Sequence, residues 1–284
     1  MPGKLYLVAT PIGNLADMTP RALETLKEAD CIAAEDTRRT LQLLNHFSLK
    51  GKLIHYDENN KVKQGPVLLE RLLAGENLAL VTDAGFPGLS DPGEAMVALA
   101  VAHGITVVPV PGANACLTGL VASGLPSTPF FFGGFLPKSK RNRRAQLCAW
   151  KSIPATMVLY EAPHRVQTVL AEILEAWGDR SMTFGRELTK LHEEFWRGTV
   201  SESLAYLETH PPRGEFVLVF AAGTGEADQP EEKPEAEPLA AVQALLEEGV
   251  PKKEALSRIA RQYNISRREL YNRLLRLEAE ADLR

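Results

Sequence analysis

Cysteine is scarce in this chain. Cys31, Cys116 and Cys148 stand far apart among 284 residues, and no C-x-x-C pair occurs. That spacing excludes a disulfide framework and a cysteine-rich zinc site, and it suits a reducing compartment. No G-x-G-x-x-G follows an apolar run and no G-x-x-x-x-G-K-[ST] is present, which argues against a standard dinucleotide fold and a P-loop nucleotidase. Long apolar runs are missing too, so no segment reads as a membrane span. The opening MPGKLYLVATPIGN has too short an apolar run for a signal peptide and no small-residue cleavage pattern. The expectation is a cytoplasmic protein that does not meet a membrane.

An excess of positive charge is also lacking, since the formal net charge is −4. Taken as a sum, this argues mildly against a nucleic-acid partner, but the distribution matters more. Lys138, Lys140, Arg141, Arg143 and Arg144 crowd one short run, and residues 252–276 are basic. The acidic stretch 226–237 offsets them. Hydrophobic residues at 45% and charged residues at 24% are ordinary for a globular protein, and 284 residues exceed one small core. Two packed domains plus an appendage are expected.

Short apolar runs at 4–10, 31–34, 53–56, 78–82 and 105–110 alternate with helical patterns. Several are continuously apolar, as in a parallel sheet covered on both faces, so residues 1–112 read as an α/β domain. Thr19 and Pro20 mark a helix start. Residues 113–222 read as a second domain with several strands and antiparallel pairing. Residues 223–238, GTGEADQPEEKPEAEP, form an acidic, flexible linker. Residues 239–284 follow with the outline of helix, turn, helix. Ile259, Tyr263, Ile265, Leu270, Leu274 and Leu277 recur at helical spacing, and Ser266 with Glu269 predicts a capping box.

The most informative loop is DAGFPGLSDPG, residues 83–93, between a strand and a helix. Its glycines permit close backbone approach, and Asp91 is expected to cap the helix, with Pro92 in the first turn and Glu94 completing a capping box. Loops of this kind at the carboxyl ends of parallel strands bind ligands, although they also serve as plain connections. Residues 10–17 and 110–115 leave the same predicted edge. Glu35-Asp36-Thr37-Arg38 follows a strand, where the carboxylates can act as base or metal site, or Asp36 or Thr37 can simply cap a helix. Glu161-Ala-Pro-His164-Arg165 and Arg186-Glu187-Leu-Thr-Lys190 are further polar clusters beside strands. The run 138–144 fits phosphate contact, and the basic tail has a helix-turn-helix outline.

Together LYLVATPIGNLADMTPRALETL, AAEDTRRTLQLL, VTDAGFPGLSDPG, VPGANA, FLPKSKRNRR, LYEAPHR and RELTKLHEEFWRGT closely resemble the small-subunit ribosomal RNA ribose-2'-O-methyltransferase I family of the tetrapyrrole methylase superfamily. These segments span residues 4 to about 222. The resemblance implies an α/β fold of two domains, a mainly parallel sheet followed by a mixed one, with a helical C-terminal domain. It implies S-adenosylmethionine in the interdomain cleft, and a cytidine 2'-OH of the 16S rRNA decoding region, in rRNA or the 30S subunit, as acceptor. It implies a homodimer. Superfamily members that methylate tetrapyrroles carry G-x-G-P-G-D after the first strand, whereas this chain has ATPIGNLAD there, a departure that favours RNA.

Methyl transfer from a sulfonium is an in-line displacement that needs no metal, and alignment supplies much of the rate. Glu35, Asp36 and Glu187 are the candidate bases, with Arg165 and Lys190 as candidate groups placing ribose or phosphate. Candidate cofactor residues are Pro11, Gly13, Asp83, Gly85, Phe86, Pro87, Ser90, Ala113 and Ala115. Candidate RNA contacts are Lys138, Lys140, Arg141, Arg143 and Arg144. The alternatives are a small-molecule, tetrapyrrole-type methylase of the same fold and a DNA-binding regulator.

Overall fold

The apolar runs of the first 110 residues become β1 (Lys4–Val8), β2 (Cys31–Ala34), β3 (Leu53–His55), β4 (Leu78–Val81) and β5 (Thr106–Val110). All are parallel, in the order β3-β2-β4-β1-β5. Their lack of alternation has a direct cause. Along β2, Cys31 and Ala33 face one cluster with Leu68, Leu72, Met96 and Ala100. Ile32 and Ala34 face the opposite cluster with Ala22, Leu26 and Leu44. The first cluster comes from α3 (Lys61–Leu73) and α4 (Gly93–Ala102), the second from α1 (Pro20–Glu28) and α2 (Thr37–His46). Helices on both faces bury β2 and β4 along their whole length, and exposed residues are left only on β1, β3 and β5. Thr19 caps α1 through the Ala22 amide at 3.2 Å, with Pro20 in the first turn.

The computed structural model describes residues 1–223, 236–247, 249–263, 266–268 and 270–274. Two units are distinguished, Met1–Gly225 and Glu226–Arg284. In the first, a second sheet has the order β6-β7-β10-β8-β9. Its strands are β6 (Phe130–Phe135), β7 (Thr156–Glu161), β8 (Ser181–Arg186), β9 (Glu194–Thr199) and β10 (Phe216–Phe220). Three of the four pairings are antiparallel, as the sequence suggested, and β6–β7 is parallel. The parallel pair arises because α6 (Lys140–Trp150) intervenes and supplies a crossover. On β10, Phe216, Leu218 and Phe220 pack towards α7 (Val166–Trp177) and α8 (Val200–Thr209). Val217 and Val219 pack towards α5 (Ala115–Ala122).

The second unit has α9 (Ala236–Glu247), α10 (Lys252–Gln262) and a further helical stretch at 270–274. Val242, Leu256, Ile259, Leu270 and Leu274 form its buried cluster. Most of the expected linker, the 266–269 capping box, Ile265, Arg276 and Leu277 lie outside the described residues. Among the described residues, no helix is long and apolar enough to cross a membrane.

Candidate active site

The parallel strands β1, β2 and β4 point their carboxyl ends to one edge, and three loops meet there. Thr10 and Gly85 lace the first to the third: the Thr10 amide donates to the Gly85 carbonyl at 2.9 Å, and the Gly85 amide returns to Thr10 at 3.1 Å. Gly85 holds φ +88°, a conformation a side chain resists. Gly13 is needed for space, since a Cβ there would lie 2.4 Å from Lys190 Cγ and 2.9 Å from the Leu188 carbonyl oxygen. The first loop therefore lies flat against residues 188–190, beyond the end of β8.

Asp91 differs from the expectation. Its carboxylate accepts the Gly93 amide at 2.7 Å, but it also turns back to the amides of Gly88 at 2.9 Å and Leu89 at 3.2 Å. Helix α4 starts at Gly93, so Pro92 occupies the cap position and no capping box forms. The charge of Asp91 is better used knotting the loop, where three amides cluster, than capping alone. Ser90 in the same loop and Glu187 across the cleft both adopt positive φ, +68° and +51°. Such conformations cost about 1–3 kcal/mol each and concentrate at functional sites.

Between these loops and the second sheet lies a cleft of about 330 Å³, in the size range of small-ligand sites. Phe86, Phe135, Tyr160 and Val217 give it apolar surface. Its charged lining is dominated by carboxylates: Glu35, Asp83, Asp91, Glu161, Glu187 and Glu215 against Arg39 and Lys190. Asp83 is paired with Arg39 at 3.1 Å, and Glu187 with Lys190 at 2.9 Å, which holds the Glu187 carboxyl below its usual range. Burial pushes Glu35 and Glu161 the other way. Glu161 is 1% exposed, and although Arg165 Nε lies 3.3 Å from its Oε1, its Oε2 is buried without a partner. Desolvation outweighs the Ala162 amide and the Arg165 and Arg143 cations there. Tyr160 accepts the Cys116 amide at 2.8 Å and so fixes the start of α5.

The structure gathers many of the predicted residues and separates others. Glu35, Glu187 and Lys190 line the cleft with Asp83, Gly85, Phe86, Ser90 and Ala115. Pro11 and Gly13 line a neighbouring groove instead. Pro87 and Ala113 belong to the loops that frame the cleft. Asp36 caps α2 through the Arg38 amide at 2.8 Å and pairs with the Arg38 guanidinium, which holds its carboxyl far below the usual range. Arg165 is spent on the Leu136 carbonyl at 2.9 Å and on Glu161. Sequence reasoning gave no role to Arg39, Tyr160, Glu161 or Glu215, although Arg39 lies inside AAEDTRRTLQLL and Tyr160 and Glu161 inside LYEAPHR.

The basic run opens α6. Lys138, Lys140 and Arg141 are exposed. Arg143 is not available at the surface: it is 7% exposed and makes a two-pronged pair with Glu172 at 2.5 and 2.9 Å. It also donates to the carbonyls of Pro137 and Lys138, both at 3.0 Å. Arg144 pairs with Glu175 at 2.6 Å but stays exposed.

Two such sheets meet at a glycine-rich cleft beyond the strand ends. The model of the Tetrapyrrole (Corrin/Porphyrin) Methylases matches residues 4–203. A uroporphyrin-III C-methyl transferase from Thermus thermophilus, solved in complex with S-adenyl homocysteine, shares the fold with TM-score 0.54 at 22% identity, over 76% of this chain and 97% of that one. The "Ribosomal RNA small subunit methyltransferase I" of Halalkalibacterium halodurans is 47% identical over 95% of this chain and 94% of its own. The protein of that name from Synechocystis sp. is 45% identical over 98% and 99%. The chain belongs to the ribosomal RNA small subunit methyltransferase I family.

Proposed function

We propose that this chain transfers a methyl group from S-adenosylmethionine to the ribose 2'-OH of a cytidine in the decoding region of 16S rRNA. The observation that carries the reading is the charge of the cleft. Glu35 and Glu161 are carboxyls raised by burial, beside Glu215, in a wall with few cations. Such groups are costly until a cation arrives. S-adenosylmethionine supplies an electrophilic methyl on a positively charged sulfur, so the donor set fits it. The knotted 83–93 loop and Ala115 offer backbone polar groups held in place before binding.

Of the three candidate bases, Asp36 and Glu187 are held in the weakly basic, ionised form by Arg38 and Lys190. Glu35 is raised and is the strongest proton acceptor among them. Its Oε2 is fixed by the Asp83 amide at 3.3 Å. Lys190 balances Glu187 and holds the wall against the first loop.

Phosphates meet Lys138, Lys140 and Arg141 at the start of α6. Cations at a helix N-terminus oppose the macrodipole and destabilise the helix. The same arrangement sums two positive fields where an RNA backbone can use them. Family resemblance adds a homodimer acting in the cytoplasm. The test offers labelled donor to 30S subunits from cells lacking the protein and, separately, to a tetrapyrrole. RNA should take the label. Label in the tetrapyrrole alone would overturn the reading in favour of a small-molecule methylase.

A further inference from the structure

A second cavity, of about 370 Å³, lies between the first loop and α2. Arg39, Gln42, Leu43 and His46 line it from the helix. Their spacing of three, four and seven places them on one stripe. Pro11 and Leu15 face them from the loop. The groove meets the donor cleft at one wall, because Arg39, Thr82 and Asp83 line both.

We propose that this groove holds the acceptor nucleotide of the RNA, with its ribose at the shared wall. The inference rests on the reading of the chain as an RNA methyltransferase. The chemistry of the groove is graded along its length. At the outer end, Gln42 and His46 are exposed and each offers hydrogen-bonding groups suited to a base edge. The His46 ring is steadied edge-on against Phe47, with centroids 4.8 Å apart. Leu15, 40% exposed, and the half-buried Leu43 give apolar surface for a base to lie against. At the inner end Arg39, two-thirds exposed, offers its guanidinium to a phosphate while it pairs with Asp83.

The placement also brings the acceptor to the base. The Asp83 amide that closes the inner end is the one bonded to Glu35 Oε2 at 3.3 Å. A ribose at that wall has Glu35 on the donor side. A volume of 370 Å³ suits one nucleotide and not a stacked helix. The target must therefore be unstacked from its neighbours before reaction.

Gln42→Ala, His46→Ala and the double variant test this directly. Both side chains are exposed, and unchanged thermal unfolding checks that the variants fold. With 30S subunits as acceptor, the double variant should lower kcat/KM for the subunit by about tenfold or more, the scale set by removing base-edge hydrogen bonds. Affinity for S-adenosylhomocysteine, measured by calorimetry, should stay within about twofold. Unchanged kcat/KM in the double variant would overturn the groove assignment while wild-type activity upholds the methyltransferase reading. An equal loss of S-adenosylhomocysteine affinity would overturn it too, by making the groove part of the donor site. A wild-type protein that leaves the subunit unlabelled would overturn both.

Discussion

The amide of Asp83 donates to the Glu35 carboxylate at 3.3 Å, and the Asp83 carboxylate accepts the neighbouring Asp36 amide at 3.1 Å. The ends of β2 and β4 are thereby stitched together, and the second Asp83 oxygen reaches Arg39 at 3.1 Å. One residue sets the positions of a candidate base and of the cation at the wall between two cavities.

Glu35→Gln should lower kcat by about a hundredfold or more, the usual scale of general-base catalysis. Burial raises the Glu35 carboxyl above its ordinary value of 4.5, and a base works only when ionised. The wild-type rate should climb as pH rises through that elevated value and then level off. Single-turnover rates across pH check this, and a Gln variant with wild-type rate would remove Glu35 from the mechanism.

Glu161 makes a separate prediction about stability. Its carboxyl is raised in the folded protein, so the folded state binds its proton more tightly than the unfolded chain does. The resulting stabilisation is present in full below the unfolded value near 4.5 and is lost as pH rises through the higher folded one. Wild type should therefore lose stability relative to Glu161→Gln over that rise. Paired denaturant titrations at several pH values measure the difference, and a constant gap would contradict it.

The five cations at the start of α6 should not behave alike. Replacing Lys138, Lys140 or Arg141 by Ala should lower RNA affinity and reduce the salt slope by about 0.7–0.9 for each phosphate no longer neutralised. Arg143→Ala should instead strand Glu172 and destabilise the fold by about 3–5 kcal/mol. Salt-dependent binding and chemical denaturation separate the two classes.

Gly13→Ala forces a Cβ into the Leu188 carbonyl and the Lys190 side chain. Donor affinity should fall by about tenfold or more as the first loop lifts away, with little change in global unfolding. Calorimetry with S-adenosylhomocysteine decides it, and unchanged affinity would mean that the loop does not help close the cleft.

Much of the scaffold was legible because its causes are local. Continuous apolar runs such as CIAA at β2 announce a sheet covered on both faces, and Thr19 and Asp36 cap their helices through adjacent amides. The glycine-rich loop was legible for the same reason. The floor of the cleft was not, since Tyr160 and Val217 come from strands of the second sheet and no local pattern ties them to a loop far earlier in the chain. Arg143 was hidden among like charges, although its spacing of four from the buried Leu147 marks the inward face of α6. Asp91 escaped because a carboxylate before a helix reads as a cap, and only the fold brings the Gly88 and Leu89 amides back to it.

The most direct test of the central claim is the position of the transferred methyl group. Labelled S-adenosylmethionine would be incubated with this protein and 30S subunits from cells lacking it, and the 16S rRNA then hydrolysed with alkali. Label is expected in a single alkali-resistant dinucleotide headed by a 2'-O-methylated cytidine. Label on a base, or no label in the RNA despite measurable donor binding, would contradict it.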